Sequence, residues 1–300
     1  MSLRRSLVGG VLAALWIVAV PEAASAQNRC ALQISARLSN SVAAPGGGGA
    51  YTTHLGGGTV TLRCGGALMT GDSAVHYESE ERAEMIGDVD YRDSTRTLSA
   101  SRLTYFEPSG RVVATGDVEL VRLSNRARLT GPRVSFFRAG ASGGIGRTLA
   151  TERPHMTMPP EGGGEAIEID ADEAEFFGDS IALARGTVEI RRSDFDATAD
   201  SARFLSETGY LYGRPVVTAR GMRITGDSLR VGLAAGGIDR LHAYGAARAE
   251  GETVELEAGE ILVTRGEEDV RRIEAFGEGR ALAASREFVL AGDSLDVAFT

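Results

Sequence analysis

The chain contains no lysine, and all 32 of its basic residues are arginine. Cysteine occurs twice, histidine four times and proline eight times, and aromatics make up 6% of the residues. Two thiols and the scattered histidines His54, His76, His155 and His242 are too few for a structural zinc site, and no metal or other cofactor is expected. No apolar stripe at helical spacing lasts beyond a turn or two, and the 39 glycines recur inside segments, which excludes long helices. The one long apolar run, residues 7–20, falls short of the roughly 20 residues that cross a hydrocarbon core. It follows Arg4 and Arg5 and precedes Pro21 and Ala24-Ser25-Ala26. That is the layout of a secretory signal peptide over residues 1–26, with cleavage expected before Gln27 and a retained anchor as the rival reading.

Removing Arg4, Arg5 and Glu22 from 32 basic and 41 acidic residues leaves 30 against 40, a net charge near −10. An acidic chain disfavours nucleic acid as a partner. Cys30 and Cys64 both lie beyond the signal segment, and an even pair in an exported chain is most simply a disulfide. It would tie the alternating residues Leu32, Ile34, Ala36 and Leu38 to a strand through Val60, Leu62 and Cys64.

What the sequence does have is a repeat. Gly226-Asp227-Ser228-Leu229-Arg230-Val231 returns as Gly292-Asp293-Ser294-Leu295-Asp296-Val297, and looser copies start at Gly71, Ala100, Gly131, Ala171, Ala199 and Ala258. The sixth place reads His76, Tyr105, Phe136, Phe176, Phe204, Val231, Val263 and Val297, two residues after another apolar side chain. This is the spacing of one strand face. A second pattern stands between the copies, clearest at Gly58-Thr59-Val60-Thr61-Leu62, Gly87-Asp88-Val89-Asp90-Tyr91, Gly116-Asp117-Val118-Glu119-Leu120 and Gly186-Thr187-Val188-Glu189-Ile190. Weaker versions begin at Glu152, Gly213, Gly245 and Gly277. Together they make a tandem array with a unit of about 30 residues, each holding two strand-like segments.

The expected fold class is therefore all-β, with residues 27–57 as an N-terminal strand and glycine-rich loop and residues 58–300 as one repeat domain. Residues 137–165 carry loops flanking a strand of the array, and Pro154 and Pro215 mark bulged or edge places. One face of the array is apolar and must be covered, either by folding the sheet over, with the two strands of each unit in opposite layers, or by winding it into a closed solenoid. The small inward residues of the late units, Ala243, Gly245, Ala247 and Ala249, then Ala275, Gly277, Gly279 and Ala281, leave room between layers.

The repeated Gly-Asp-Ser-Leu strand start, the following Gly-x-Val strand and the export signal resemble the OstA/LptA family of periplasmic lipopolysaccharide-transport proteins. The resemblance covers residues 58–300 and is best over 100–120, 178–205 and 226–231. It implies an open, V-shaped β-jellyroll of two facing sheets that holds lipid acyl chains, a periplasmic location, and protomers or partners of similar fold joined edge to edge. Carried onto this chain, the lipid-contacting candidates are Leu103, Tyr105, Val118, Leu120, Val134, Phe136, Phe176, Val188, Ile190, Phe204, Leu229 and Val231. The partners implied are lipopolysaccharide or another acylated lipid, other proteins of the family, and further copies of the chain in head-to-tail order.

A structural solenoid, serving as a stalk or scaffold of the envelope, is the alternative from another class. An enzyme is not expected. The carboxylates Asp170, Asp172, Glu173, Asp194, Asp196 and Asp200 alternate with apolar residues as on a solvated face, and the recurrent Gly-Asp-Ser serines lack a nucleophile-elbow pattern or a histidine partner. A transmembrane barrel is disfavoured by alternating segments of 5 to 7 residues where 9 to 11 are needed.

Overall fold

The computed structural model describes residues 30–44, 49–138, 146–160, 163–178, 180–234, 237–265 and 270–298. The expected signal segment and residues 139–145, expected to belong to a loop, lie outside them. The chain is all-β, and among the described residues 26 strands form one sheet whose pairings are all antiparallel. A 3-10 turn, Glu78–Glu80, is the one helical element among the described residues.

The sheet is folded along its length into two facing layers, and the repeat is what folds it. In the strand Arg82–Arg92, residues 82–86 pair with Ser73–Tyr77 while residues 90–92 pair with Ala67–Gly71. The first half belongs to one layer and the second half to the other. The strands Arg96–Phe106, Arg111–Arg122, Arg128–Phe137, Ile181–Arg192, Phe195–Leu205, Gly237–Glu250 and Val254–Arg265 do the same. Elsewhere the crossing interrupts the strand, as at Pro154 between Arg147–Thr151 and His155–Met158, or at Pro215 between Thr208–Tyr212 and Val216–Ala219. Both prolines thus sit where no ladder donor is required.

The two sequence patterns are the two directions of crossing. Where a strand runs on through the spine, a glycine of the second pattern and the residue after it oppose a single residue of the neighbouring strand, a two-against-one bulge that bends the strand. Arg185 pairs with Ser201 and Val188 with Ala199, so Gly186 and Thr187 together face Asp200. Both bulge residues are left-handed, at φ 70° and 44°, which glycine tolerates and threonine does not favour.

Each of these long strands therefore contributes to both layers, which differs from an arrangement with the two strands of a unit in opposite layers. It also makes strands of up to 14 residues, as in Gly237–Glu250, since two short alternating segments are fused through a bulge. Most of the described residues of the stretch 39–57, expected as a loop, lie in the paired strands Leu38–Ala43 and Tyr51–Gly56, and the second of these joins Ser73–Tyr77. Leu38–Ala43 is exposed throughout, so pairing rather than an apolar face makes it a strand.

Side chains facing between the layers form one core, with Val60, Leu62, Met85, Leu103, Leu120, Leu129, Val134 and Ile261 at 0% exposure. One layer runs from Gln33–Ser35 to Val289–Gly292 and the other from Leu38–Ala43 to Leu295–Ala298; among the described residues these four strands have a partner on one side only. Cys30 and Cys64 form a disulfide, Cα to Cα 5.4 Å, that fastens the N-terminal segment beside Val60–Cys64.

Candidate functional site

Alternation places every second side chain of each half-strand inward, and antiparallel register lines these up across the strands. In the first layer a row passes from Tyr105 through Val112, Phe136, Thr148, Phe176, Ala182, Phe204 and Gly209 to Val231. Large rings alternate with small residues, and a Cβ at Gly209 would stand 3.1 Å from the Phe204 ring. In the second layer an unbroken apolar row runs from Leu62 through Met69, Tyr91, Leu120, Met156 and Ile190 to Val217, Leu256 and Leu290.

All twelve lipid-contact candidates face this interior. Leu103, Tyr105, Val134, Phe136, Phe176, Phe204, Leu229 and Val231 lie in the first layer, and Val118, Leu120, Val188 and Ile190 in the second. None is more than 3% exposed. The layers touch directly here: the Tyr91 and Phe136 rings meet edge to face at 5.0 Å between centroids. Where these residues stand, the space between the layers is filled by their own packing.

Beyond the apolar rows, at the mouth opposite the spine, the inward positions turn polar. Arg96, Arg122 and Arg192 end the inward series of their half-strands in the second layer and are 8%, 7% and 9% exposed. Arg96 stacks over the Phe136 ring at 4.7 Å and donates to the Thr148 hydroxyl at 2.8 Å, reaching from one layer to the other. Arg122 stacks over Phe176 at 4.9 Å and donates to the Gly178 carbonyl. Asp194 takes Arg192 at 2.5 Å and accepts from the Ile238 amide of the first layer at 3.1 Å. Nearer the disulfide, Arg138 donates to the Tyr105 hydroxyl at 3.2 Å, which lies 2.8 Å from Cys64 Sγ.

The mouth is thus bridged by paired groups. Burial pushes the Asp93 carboxyl up, but hydrogen bonds from Thr95 and Tyr91, with the Arg96 charge, hold it below its ordinary value. Asp194 behaves alike: burial raises it, and Arg192 and the Ile238 amide more than offset this. Burial first and Asp93 second push the Tyr91 hydroxyl well up, so it stays protonated and donates to Asp93 at 2.8 Å.

No protein-family model matches the chain, and no curated protein matches it. Among solved structures, the chain is similar to that described as the crystal structure of LptH, the LptA homologous periplasmic component of the conserved lipopolysaccharide transport device from Pseudomonas aeruginosa. The match covers 51% of this chain and 80% of that one, at 10% identity and a TM-score of 0.23.

Among the described residues several hollows open from the interior. A pocket of about 60 Å³ lies at the mouth, lined by Arg122, Arg192, Met158, Ile167, Phe176 and Phe204 among others. A larger one of about 370 Å³ lies between the late strands, lined by Met222, Ala249, Leu256, Ile273, Ala283, Phe288 and Leu290 among others. Of the small late residues expected to leave room between the layers, Ala249 alone lines this hollow, and the large side chains around it, Met222, Phe288 and Leu290, are outside the twelve candidates. Phe288 and Leu290 are 45% and 52% exposed.

The carboxylates considered for acid–base chemistry do not converge. Asp170 pairs with His155 at 3.0 Å on the outer face, Asp172 and Asp200 sit at the spine, and Asp194 lies at the mouth. Among the described residues no group of three or more His, Cys, Asp or Glu is placed to hold a metal ion, and no helix is long and apolar enough to cross a membrane. The mouth arginines were not anticipated, although the signal is present. Extending the second pattern by two places gives Arg122 after Val118 and Leu120, and Arg192 after Val188 and Ile190.

Proposed function

We propose that this chain is a non-catalytic carrier of the periplasm that holds acyl chains of lipopolysaccharide, or of another acylated lipid, between its two layers and bridges to partners of similar fold. The observation that carries this reading is the continuous apolar interior: the second-layer row from Leu62 to Leu290 is apolar throughout except for the Tyr91 hydroxyl, which donates to Asp93. An acyl chain lying along it would find apolar contact from one end of the molecule to the other, the driving force being surface removed from water. Among the described residues the edge strands at both ends have a partner on one side only, which supports strand-edge pairing with a neighbour, including another copy of this chain. Residues 1–26 fit export, with cleavage before Gln27.

The test is native mass spectrometry of the mature protein purified from a diderm envelope under mild conditions. A mass increment that organic extraction resolves into an acylated lipid is the expected outcome. A lipid-free chain that also takes up none when incubated with lipopolysaccharide contradicts the reading.

A closed structural scaffold is the second reading, and the full burial of Phe136 and Phe176, at 1% and 2% exposure, favours it. It predicts the lipid-free outcome with unchanged strand-edge association.

A further inference from the structure

The two ends of the layered sheet are alike in strand direction and unlike in chemistry. Among the described residues the second layer takes an even number of antiparallel steps from Gln33–Ser35 to Val289–Gly292. The first layer does the same from Leu38–Ala43 to Leu295–Ala298. An even number restores the direction, so both end strands of the second layer run toward the spine and both of the first layer run away from it. Copies joined head to tail therefore meet through parallel pairs, the slightly weaker kind. Like ends related by a twofold axis along the strands meet through antiparallel pairs in both layers, spine beside spine.

The inward side chains select which like ends meet. At the early end the first layer turns Ser39 and Ser41 inward, with Ser41 2.9 Å from the Thr53 hydroxyl, and His76 behind them pairs with Glu107 at 2.8 Å. At the late end the inward places are Leu290, Leu295 and Val297, and with Phe288 they line the hollow of about 370 Å³. Phe288, Leu290 and Val297 are 45%, 52% and 36% exposed. Arg220 and Glu252, which also line the hollow, stand on turns at the mouth. Val289–Gly292 carries no charge, and Asp296, the one charge of Leu295–Ala298, faces outward onto Arg272 at 2.9 Å. This edge thus has neither the proline nor the unpaired charge that keeps natural edges apart.

We propose that the late end is covered by the late end of a second copy of this chain, Val289–Gly292 of each pairing antiparallel with Leu295–Ala298 of the other about a twofold axis. The inference rests on the strand-edge pairing of the carrier reading and names the ends that pair. Such a contact is self-complementary and closes on itself, so assembly stops at two copies. Phe288, Leu290 and Val297 of each copy leave water against those of the other, which drives the union. The two hollows join, and each is complete only with the second copy. The early ends, with serines inward, stay free.

The experiment combines light scattering of the mature chain with photocrosslinking from a photoreactive phenylalanine analogue at Val289, which is 72% exposed. Half of the protein is isotope-labelled, so that adducts between copies are told from adducts within one. The expected mass is that of two copies, with a dissociation constant on the order of micromolar for so small a contact, and the mixed adducts join Val289 to residues 289–298. Leu290→Asp is expected to weaken the dimer at least about tenfold, since it sets a carboxylate against apolar side chains. Leu38→Asp, at the early end, is expected to leave it unchanged. Adducts from Val289 to residues 33–43, a mass that grows beyond two copies, or a single-chain mass up to about 100 µM each overturn the inference. Should Leu290→Asp fail to fold, the mass and the adduct map of the otherwise unaltered chain decide. Native mass spectrometry with lipopolysaccharide reads the carrier reading separately: lipid uptake without the dimer overturns this inference alone, and a dimer that takes up no lipid overturns the carrier reading alone.

Discussion

Asp172 stands over Gly186 at the spine: its amide donates to the Gly186 carbonyl at 2.9 Å, and its carboxylate occupies the space that a side chain at position 186 would need. The same relation joins Asp72 to Gly87 and Asp227 to Gly245. An aspartate of one sequence pattern thus locks onto the glycine of the other, and the interlock is what folds a flat sheet into two layers.

Gly186→Ala is therefore expected to destabilise the protein by about 1–3 kcal/mol, from the left-handed backbone and from the collision with Asp172. Asp172→Gly removes the collision but not the backbone strain. The double variant should then lose less than the two single changes added together, as read from urea midpoints in a mutant cycle.

How much of this was legible follows from which rules the residues obey. Alternation placed all twelve candidates, from Leu103 to Val231, on the inner face, because a strand with one buried side has a period of two. The same alternation hid Arg96, Arg122 and Arg192. They occupy inward places, but a charge after an apolar run reads as the end of a strand, and only a ring in the opposite layer or beside it makes the place habitable. Gly186 and Asp172 were legible as repeat elements, yet read as strand starts rather than as a bend. Their contact joins residues that the sequence separates. Leu38–Ala43 was not legible at all, since its strand character comes from pairing with Tyr51–Gly56.

Phe176→Ala should cost about 3–5 kcal/mol, the usual range for deleting a buried ring, because Phe176 is 2% exposed. Phe288→Ala, with its ring 45% exposed, should stay within about 1 kcal/mol on the same area argument. Chemical denaturation of the two variants beside wild type checks the contrast.

Acid should loosen the mouth before the spine. Asp93 and Asp194 both titrate below their ordinary value of 3.8 in the folded chain. The stability they add is thus complete above that value and is lost as the pH falls through their lowered folded values. Exchange of the Thr95 and Ile238 amides, which donate to these two carboxylates at 2.7 and 3.1 Å, should accelerate below about pH 4 ahead of the Asp172 amide at the spine. Simultaneous exposure of all three would contradict this.

Reducing the Cys30–Cys64 disulfide, which spans 34 residues, should lower stability by about 4 kcal/mol on the chain-entropy treatment, with less expected if the reduced chain keeps local structure. Thermal melts with and without reductant give the value. Loss of protection should concentrate in Gln33–Ser35, the strand next to the bridge.

Photocrosslinking bears most directly on the central claim that acyl chains lie between the layers. A photoreactive phenylalanine analogue is placed at Phe136, Phe176 or Phe204, and at the outward positions Arg191 and Arg230, and the protein is irradiated with lipopolysaccharide. The account predicts strong adducts at the three inward positions and weak ones at the two outward. Labelling no stronger inside than outside would contradict it.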